Sequence, residues 1–494
     1  MIFFVQMNRL FSILLIIMGI GLQTYAQYDV NDNCKDAWML LMDLKIEEAK
    51  HVLEKEIQTN PSNYYAYYLD HTCDGYALII NSGDDDYNLF LENYEKRRFI
   101  MDNKDIQSPY YLACLSEMQL QVGIFNILKG YRWAGLRKAY SSYKNTYENL
   151  EKHPEFVPSR KLDGFFNVAI SNVPPFVKWA ISFFGVSANF DYGQELLYKN
   201  YESQKDIRGL NVESALFVIL GAKLNKTPEL VYDFTHSLDS NISNTFIHQY
   251  FKANIAYRVG KNEEALHILQ KINMEEYAYA DIVYSYMMGK ILLRKQDSNA
   301  GYHLSKYLSH LEKKEYVKEM NYNLALFYLL NNDRQKFLHY SDIAMYEGKD
   351  INERDREALY ETKLDYFPDV NLVKARLLLD GGYLDEFETT IKKINVKDLE
   401  ILGHKLEYNF LMARFNALKG ENEIAISLFM KVIEQGENQD YFFACEAALR
   451  LGNIYREMEE NNLAKTYYEK SVKLYKSDYY EYIEDKAIKA LKSF

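Results

Sequence analysis

A small residue recurs along the second half of this chain at intervals that stacked helical hairpins satisfy. Between Phe410 and Ile433 the sequence reads FLMARFNALKGENEIAISLFMKVI, with Ala413, Gly420, Ala425 and Phe429 seven, five and four residues apart. Small side chains at the first and third positions let two helices approach closely, the glycine between them breaks the first helix, and the phenylalanine fills the space beyond. One such hairpin cannot bury its apolar face alone, so copies must stack. The same skeleton places first-helix small residues at Ala253, Gly289, Ala325, Ala375, Ala413 and Gly452. The matching second-helix positions are Ala265, Ala300, Phe337, Phe387, Ala425 and Ala464, with Gly260, Gly382 and Gly420 as turns. Most copies are 35 to 39 residues apart, but the interval from Ala325 to Ala375 is 50, which predicts an extra helix over 352–367 or a longer loop. No proline lies between Pro228 and Pro368 or after Pro368, and long proline-free stretches with periodic apolar residues read as helix.

Near the other end, DAWMLLMDLKIEEAKHVLEKEIQTNPSNYY repeats the hairpin, with Ala49 and Leu53 in the second-helix packing positions and Pro61 at the turn beyond. This spacing resembles the tetratricopeptide repeat (TPR), whose second helix carries Ala, an aromatic or Leu, then Pro at these offsets. Three departures are visible: Phe replaces Ala at 337 and 387, the proline between repeats is largely absent, and one register, between Ala325 and Ala375, has an insertion. The expected fold is all-α, a TPR-like helical-hairpin solenoid over 206–494 preceded by an irregular helical module over 27–205. Within that module 64–81, 86–102, 109–128 and 132–150 read as helices. The segment Leu162–Leu197 is distinctive: Gly164, Phe166 and Asn167 open an apolar helix, Pro174-Pro175 interrupts it, and Phe183-Phe184-Gly185 forms a turn. It resembles the signature of a eukaryotic TPR family that includes the yeast mitochondrial outer-membrane inclusion-body clearance protein, with Val186-Ser187-Ala188-Asn189 where that family has Phe-Ser-Gly-Asp/Asn. The resemblance implies a helical module followed by TPRs, and does not carry a mitochondrial location across. Its aromatics, Phe165, Phe166, Trp179, Phe183 and Phe184, suit either a core seal between module and repeats or a docking element.

The first 26 residues read as a signal peptide rather than as part of the fold: Arg9, an apolar run Leu10–Leu22, then Thr24-Tyr25-Ala26, with cleavage expected between Ala26 and Gln27. Thirteen apolar residues fall short of the roughly 20 that a spanning helix needs. Cys34 follows Asn31-Asp32-Asn33, which is no lipidation signal. The expected location is therefore exported, in the periplasm or cell envelope. Losing residues 1–26 moves the formal net charge from −12 to −13, a balance that disfavours nucleic acid and anionic membranes as partners. Four cysteines, Cys34, Cys73, Cys114 and Cys445, are no disulfide framework in so long a chain, and their pairing is open at this level. The 44 tyrosines suit a thin helical structure, with rings in the seams and hydroxyls wet.

Enzymatic and metal chemistry find little footing. Asp84, Asp86, Asn88, Glu92 and Glu95 fit calcium-loop spacing, but Leu89 stands where the loop needs glycine, so the aspartates read as a helix start. The histidines, among them His248, His267, His303, His310 and His339, form no HExxH pair, and GxGxxG, GxxxxGK[ST] and GxSxG are absent. No metal, cofactor or catalytic set is expected. The TPR resemblance implies that first helices line a concave face, with the positions one and four after each small residue pointing inward. Those positions hold Asn254 and Tyr257, Arg376 and Leu379, Arg414 and Ala417, and Asn453 and Arg456. Arg376 and Arg414 occupy one position in adjacent copies and suit a carboxylate or acidic peptide, or pairing with acids such as Asp369 or Glu446 inside the chain. The expected function is a non-enzymatic scaffold or adaptor that binds a protein or peptide. The alternatives are an envelope solute- or glycan-binding component and, third, an enzyme with scattered catalytic residues.

Overall fold

A computed structural model of the protein describes residues 27–81, 83–102, 107–173, 186–277, 280–310, 316–350, 352–475 and 480–494. The expected signal peptide over 1–26, and with it Pro174-Pro175, Trp179 and Phe183-Phe184-Gly185, lie outside them. The fold is all-α, a TPR-like array of consecutive helical hairpins, and the described residues contain no strand. None of the described helices is long and apolar enough to cross a membrane. The chain divides into two compact units, one within Met1–Ile79 and Asp84–Asn225, the other Lys226–Phe494 with Ile80–Gly83.

The helices of the first unit are α1 (Asp32–Met42), α2 (Ile46–Thr59), α3 (Tyr64–Asn81), α4 (Asp84–Asp102), α5 (Pro109–Leu128), α6 (Arg132–Lys152), α7 (Val157–Ser171), α8 (Phe190–Gln204) and α9 (Leu210–Leu224). Asp84, Asp85 and Asp86 form the first turn of α4, where carboxylates meet the positive end of the helix dipole. All four cysteines are buried free thiols. The second unit begins with the short helices α10 (Tyr232–Ser237) and α11 (Ser240–Ser243). Its hairpins follow: α12 (Phe246–Arg258) with α13 (Asn262–Gln270), α14 (Asp281–Lys295) with α15 (Ala300–Ser309), and α16 (Val317–Leu330) with α17 (Arg334–Tyr346). A single helix, α18 (Glu353–Thr362), occupies the long interval. The series then resumes with α19 (Val370–Gly381) and α20 (Leu384–Ile391), α21 (Leu402–Leu418) and α22 (Asn422–Gly436), and α23 (Phe443–Glu457) and α24 (Asn461–Leu474), ending at α25 (Glu481–Leu491).

The small residues sit where their size is required. A Cβ added at Gly452 would lie 2.6 Å from the Tyr468 ring, and one at Gly289 would lie 2.8 Å from Leu304. Ala413, Ala425 and Phe429 are buried in one apolar cluster with Phe410 and Val432. Seven residues after each small residue the backbone turns left-handed, at Gly260, Gln296, Asn332, Gly382, Gly420 and Glu459. Only three of these six are glycine, so half of the turns carry the steric penalty of a Cβ in that region. The first unit uses the same geometry at Ala37 and Leu44 (φ 54°), and again at Gly123 and Gly130 (φ 92°). At the second of these, α6 comes so near that a Cβ on Gly123 would lie 3.0 Å from the Ala139 nitrogen. The inserted α18 is docked by Asp355, which accepts hydrogen bonds from the backbone N–H groups of Tyr316 (3.0 Å) and Glu319 (2.9 Å) and so caps α16 from a distance.

Because Glu459 holds φ 63° with a side chain that the turn does not need, Glu459→Gly is expected to stabilise the second unit by about 1 kcal/mol. Urea unfolding followed by circular dichroism measures this, and a midpoint that stays put or falls contradicts it.

Candidate functional site

The first helices of the second unit share a face lined by charged and tyrosine side chains in a repeating register. A tyrosine stands three residues before the small residue in three successive copies, at Tyr250, Tyr286 and Tyr322. Burial raises all three phenols above their ordinary value, and nearby glutamates add to the effect. A glutamate stands six before it, at Glu319, Glu407 and Glu446, and a cation stands one after it, at Lys290, Arg376 and Arg414. The cation of one copy faces the glutamate of the next. Lys290 Nζ lies 2.5 Å from Glu319 Oε1, Arg376 Nε lies 3.6 Å from Glu407 Oε1, and Arg414 feels the charge of Glu446.

The remaining bonds tie this ladder together. Tyr286 donates to Glu319 (2.8 Å), and Tyr322 (3.2 Å) and Tyr480 (3.0 Å) donate to Glu361 of the inserted helix. Glu361 also holds Arg376 at 3.2 Å. Arg414 donates to Asp380 at 2.6 Å, and Asp380 feels Arg294 and Arg376 as well. Burial pushes the Asp380 carboxyl up, but these three cations win and hold it below its ordinary range. Glu407 is the opposite case: burial outweighs the pull of Arg376 and raises it from 4.5 to about 7. Its Oε1 is buried without a hydrogen bond, which is the physical reason that its charge is poorly tolerated.

The sequence-predicted residues fall into two groups. Arg376, Arg414 and Tyr257 belong to one network, joined through Asp380 and Arg294. Arg294 lies 3.5 Å over the Tyr257 ring and donates to the Tyr257 carbonyl at 2.6 Å. Asn254 stands beside Met287, with its amide nitrogen 3.5 Å from the sulfur. Asn453 and Arg456 form the second group: Asn453 accepts from Tyr468 at 2.8 Å, and Arg456 lies over the Phe494 ring. Both acids that hold Arg376 and the one that hydrogen-bonds Arg414 come from neighbouring helices of this same chain. Lys290 was legible and missed, since it follows Gly289 as Arg376 follows Ala375.

Two cations on this face were not signalled by the one-and-four rule. Arg258, five residues after Ala253, and Lys486, on α25, make no ion pair or side-chain hydrogen bond among the described residues. Crowding by protein lowers both below their ordinary values. Arg354 adds to this for Arg258, against the opposing pull of Glu353 and Glu229; for Lys486 the pull of Glu229 and Glu446 opposes it more strongly than Arg450 and Arg258 add to it. By contrast Arg354 holds Glu357 (2.7 Å) and Arg450 holds Glu446 (2.6 Å). Among the described residues no group of three or more His, Cys, Asp or Glu side chains could hold a metal ion.

No family model matches the chain, and no curated protein matches it. Among solved structures it is similar to the human IFIT1 dimer with m7Gppp-AAAA, at 15% identity and a TM-score of 0.29, covering 91% of each chain. It is also similar to the APC/C hetero-tetramer Cut9–Hcn1, at 12% identity and a TM-score of 0.27, covering 94% of this chain and 93% of that one.

The folded chain binds the Glu407 proton more tightly than the unfolded chain does, so stability from this group is full below pH 4.5 and declines as pH rises to about 7. Glu407→Gln removes that titration, and its urea midpoint is expected to fall less between pH 5 and pH 8 than that of the parent. Equal declines in the two proteins contradict the assignment.

Proposed function

We propose that the chain is an exported, non-enzymatic helical-repeat scaffold whose second unit receives an acidic segment of a partner protein at Arg258 and Lys486. The observation that carries this reading is the contrast on one face between paired and unpaired cations. Lys290, Arg354, Arg376, Arg414 and Arg450 each hold a carboxylate of this chain, whereas Arg258 and Lys486 hold none among the described residues. A carboxylate arriving there accepts the charge-assisted hydrogen bonds that neither side chain makes among the described residues. Charge complementarity of this kind sets which partner docks and in what register. Arg376 and Arg414 border the docking region and act chiefly by keeping adjacent copies aligned. Export is supported by the succession of Arg9, the apolar run and Thr24-Tyr25-Ala26.

Fluorescence anisotropy of a labelled peptide of alternating Asp and Glu tests the reading. The double variant Arg258→Glu, Lys486→Glu is expected to weaken capture by roughly tenfold or more. Lys392→Glu serves as the control, since Lys392 is exposed and pairs with Glu388 on its own turn. Unaltered capture by the double variant contradicts the proposal.

A further inference from the structure

The first unit contains a cavity of about 490 Å³, within the range of small-molecule sites. Its floor is a buried triad in which Lys161 pairs with Glu117 at 2.7 Å and with Glu213, while Tyr68 donates to Glu117 at 2.6 Å. The Lys161, Glu117 and Glu213 side chains are respectively 5%, 10% and 8% exposed. At the rim Lys35 pairs with Asp32 and Glu155 with Arg160, so the surplus of one carboxylate lies in the triad itself, where two glutamates share one ammonium. Burial, opposed by Lys161 and reinforced by Glu117, raises Glu213 from 4.5 to about 7, so near neutral pH a proton offsets part of that surplus, and an arriving cation would displace it. The wall is aromatic: Tyr110 meets Phe156 edge-on with ring centres 4.8 Å apart, and Tyr65 meets Tyr110 at 6.2 Å.

Two amides one helical turn apart on α8 complete the lining. Asn200 is 5% exposed, and its Nδ2 has no hydrogen-bond partner; Gln204 Oε1 has none either. A buried amide without a partner is costly, so these atoms are ready donors and acceptors for a bound polar group. As placed, Asn200 offers a donor and Gln204 an acceptor.

From this geometry we propose that the cavity binds a small hydroxyl-bearing organic amine. Its ammonium group answers the surplus carboxylate charge around Lys161, its carbon frame lies against Tyr65, Tyr110 and Phe156, and its polar groups satisfy Asn200 and Gln204. Aromatic faces with a carboxylate nearby are the chemistry that attracts an ammonium. A neutral sugar of the same shape satisfies the amides and leaves the charge uncompensated.

Titration calorimetry of the whole chain with glucosamine and ethanolamine, against glucose and ethylene glycol, tests this. One or both amines are expected to bind and neither neutral compound. Glu213→Gln leaves Lys161 its single partner Glu117, and Asn200→Ala removes the amide. Each variant is expected to weaken the amine by about tenfold or more, with a thermal unfolding curve like the parent's. Silence with both amines, glucose binding as tightly as glucosamine, or full amine affinity in both folded variants overturns the proposal.

Discussion

The close approach of two helices at a residue too small to hold them apart is the contact on which the rest of this molecule depends. At Gly452 and Gly289 the second helix occupies the space a side chain would need, and seven residues on the backbone turns left-handed at every C-terminal copy. These two constraints fix how each first helix is rotated about its own axis. Positions six before, three before and one after the small residue therefore become equivalent in space from copy to copy. The cation one after it then meets the glutamate six before the next, at Lys290 with Glu319 and at Arg376 with Glu407. Such buried pairs add little net stability, because removing both charges from water offsets most of their attraction. Breaking one is another matter, since it leaves an uncompensated charge, and a copy shifted along its neighbour would break it. We read the ladder as a register device, one that leaves most of the face electrically closed.

The sequence carried the hairpins plainly, because steric limits are local. Ala413, Gly420, Ala425 and Phe429 each require a neighbour within one hairpin, and their spacing says so. The 50-residue interval likewise announced an insertion, which is the helix Glu353–Thr362. Other turns were hidden because a side chain is only disfavoured, not forbidden, at left-handed φ, so Gln296, Asn332 and Glu459 carry no composition signal. The helices on either side of Gly130 were legible at 109–128 and 132–150, but the small-residue register of Gly123 and Gly130 was not, for want of a second copy beside it. Arg376 and Arg414 were legible as a row, but what they hold was not. Their partners Glu361, Glu407 and Asp380 come from helices whose facing is set only once the copies stack. Lys486 is the extreme case: its charged surroundings include Arg258, more than 200 residues away in sequence.

Function follows from where this electrostatic pairing fails. In the second unit Arg258 and Lys486 make no ion pair among the described residues, although Glu229, Glu353 and Glu446 stand near enough to act on them. In the first unit the failure has the opposite sign, with Glu117 and Glu213 sharing one Lys161 at the floor of a cavity. A rigid helical scaffold can hold such imbalances because its apolar packing is complete without them. On the readings proposed above, each would select a ligand of complementary charge.

Exchanging the charges of one ladder rung tests the central claim most directly. Lys290→Glu alone should place two acids together and cost the second unit roughly 3 kcal/mol, as should Glu319→Lys alone. The double exchange, Lys290→Glu with Glu319→Lys, should recover most of that loss in urea unfolding, because the pair is restored across the same interface. A double variant as unstable as the sum of its single changes would show that the rung does not couple adjacent copies.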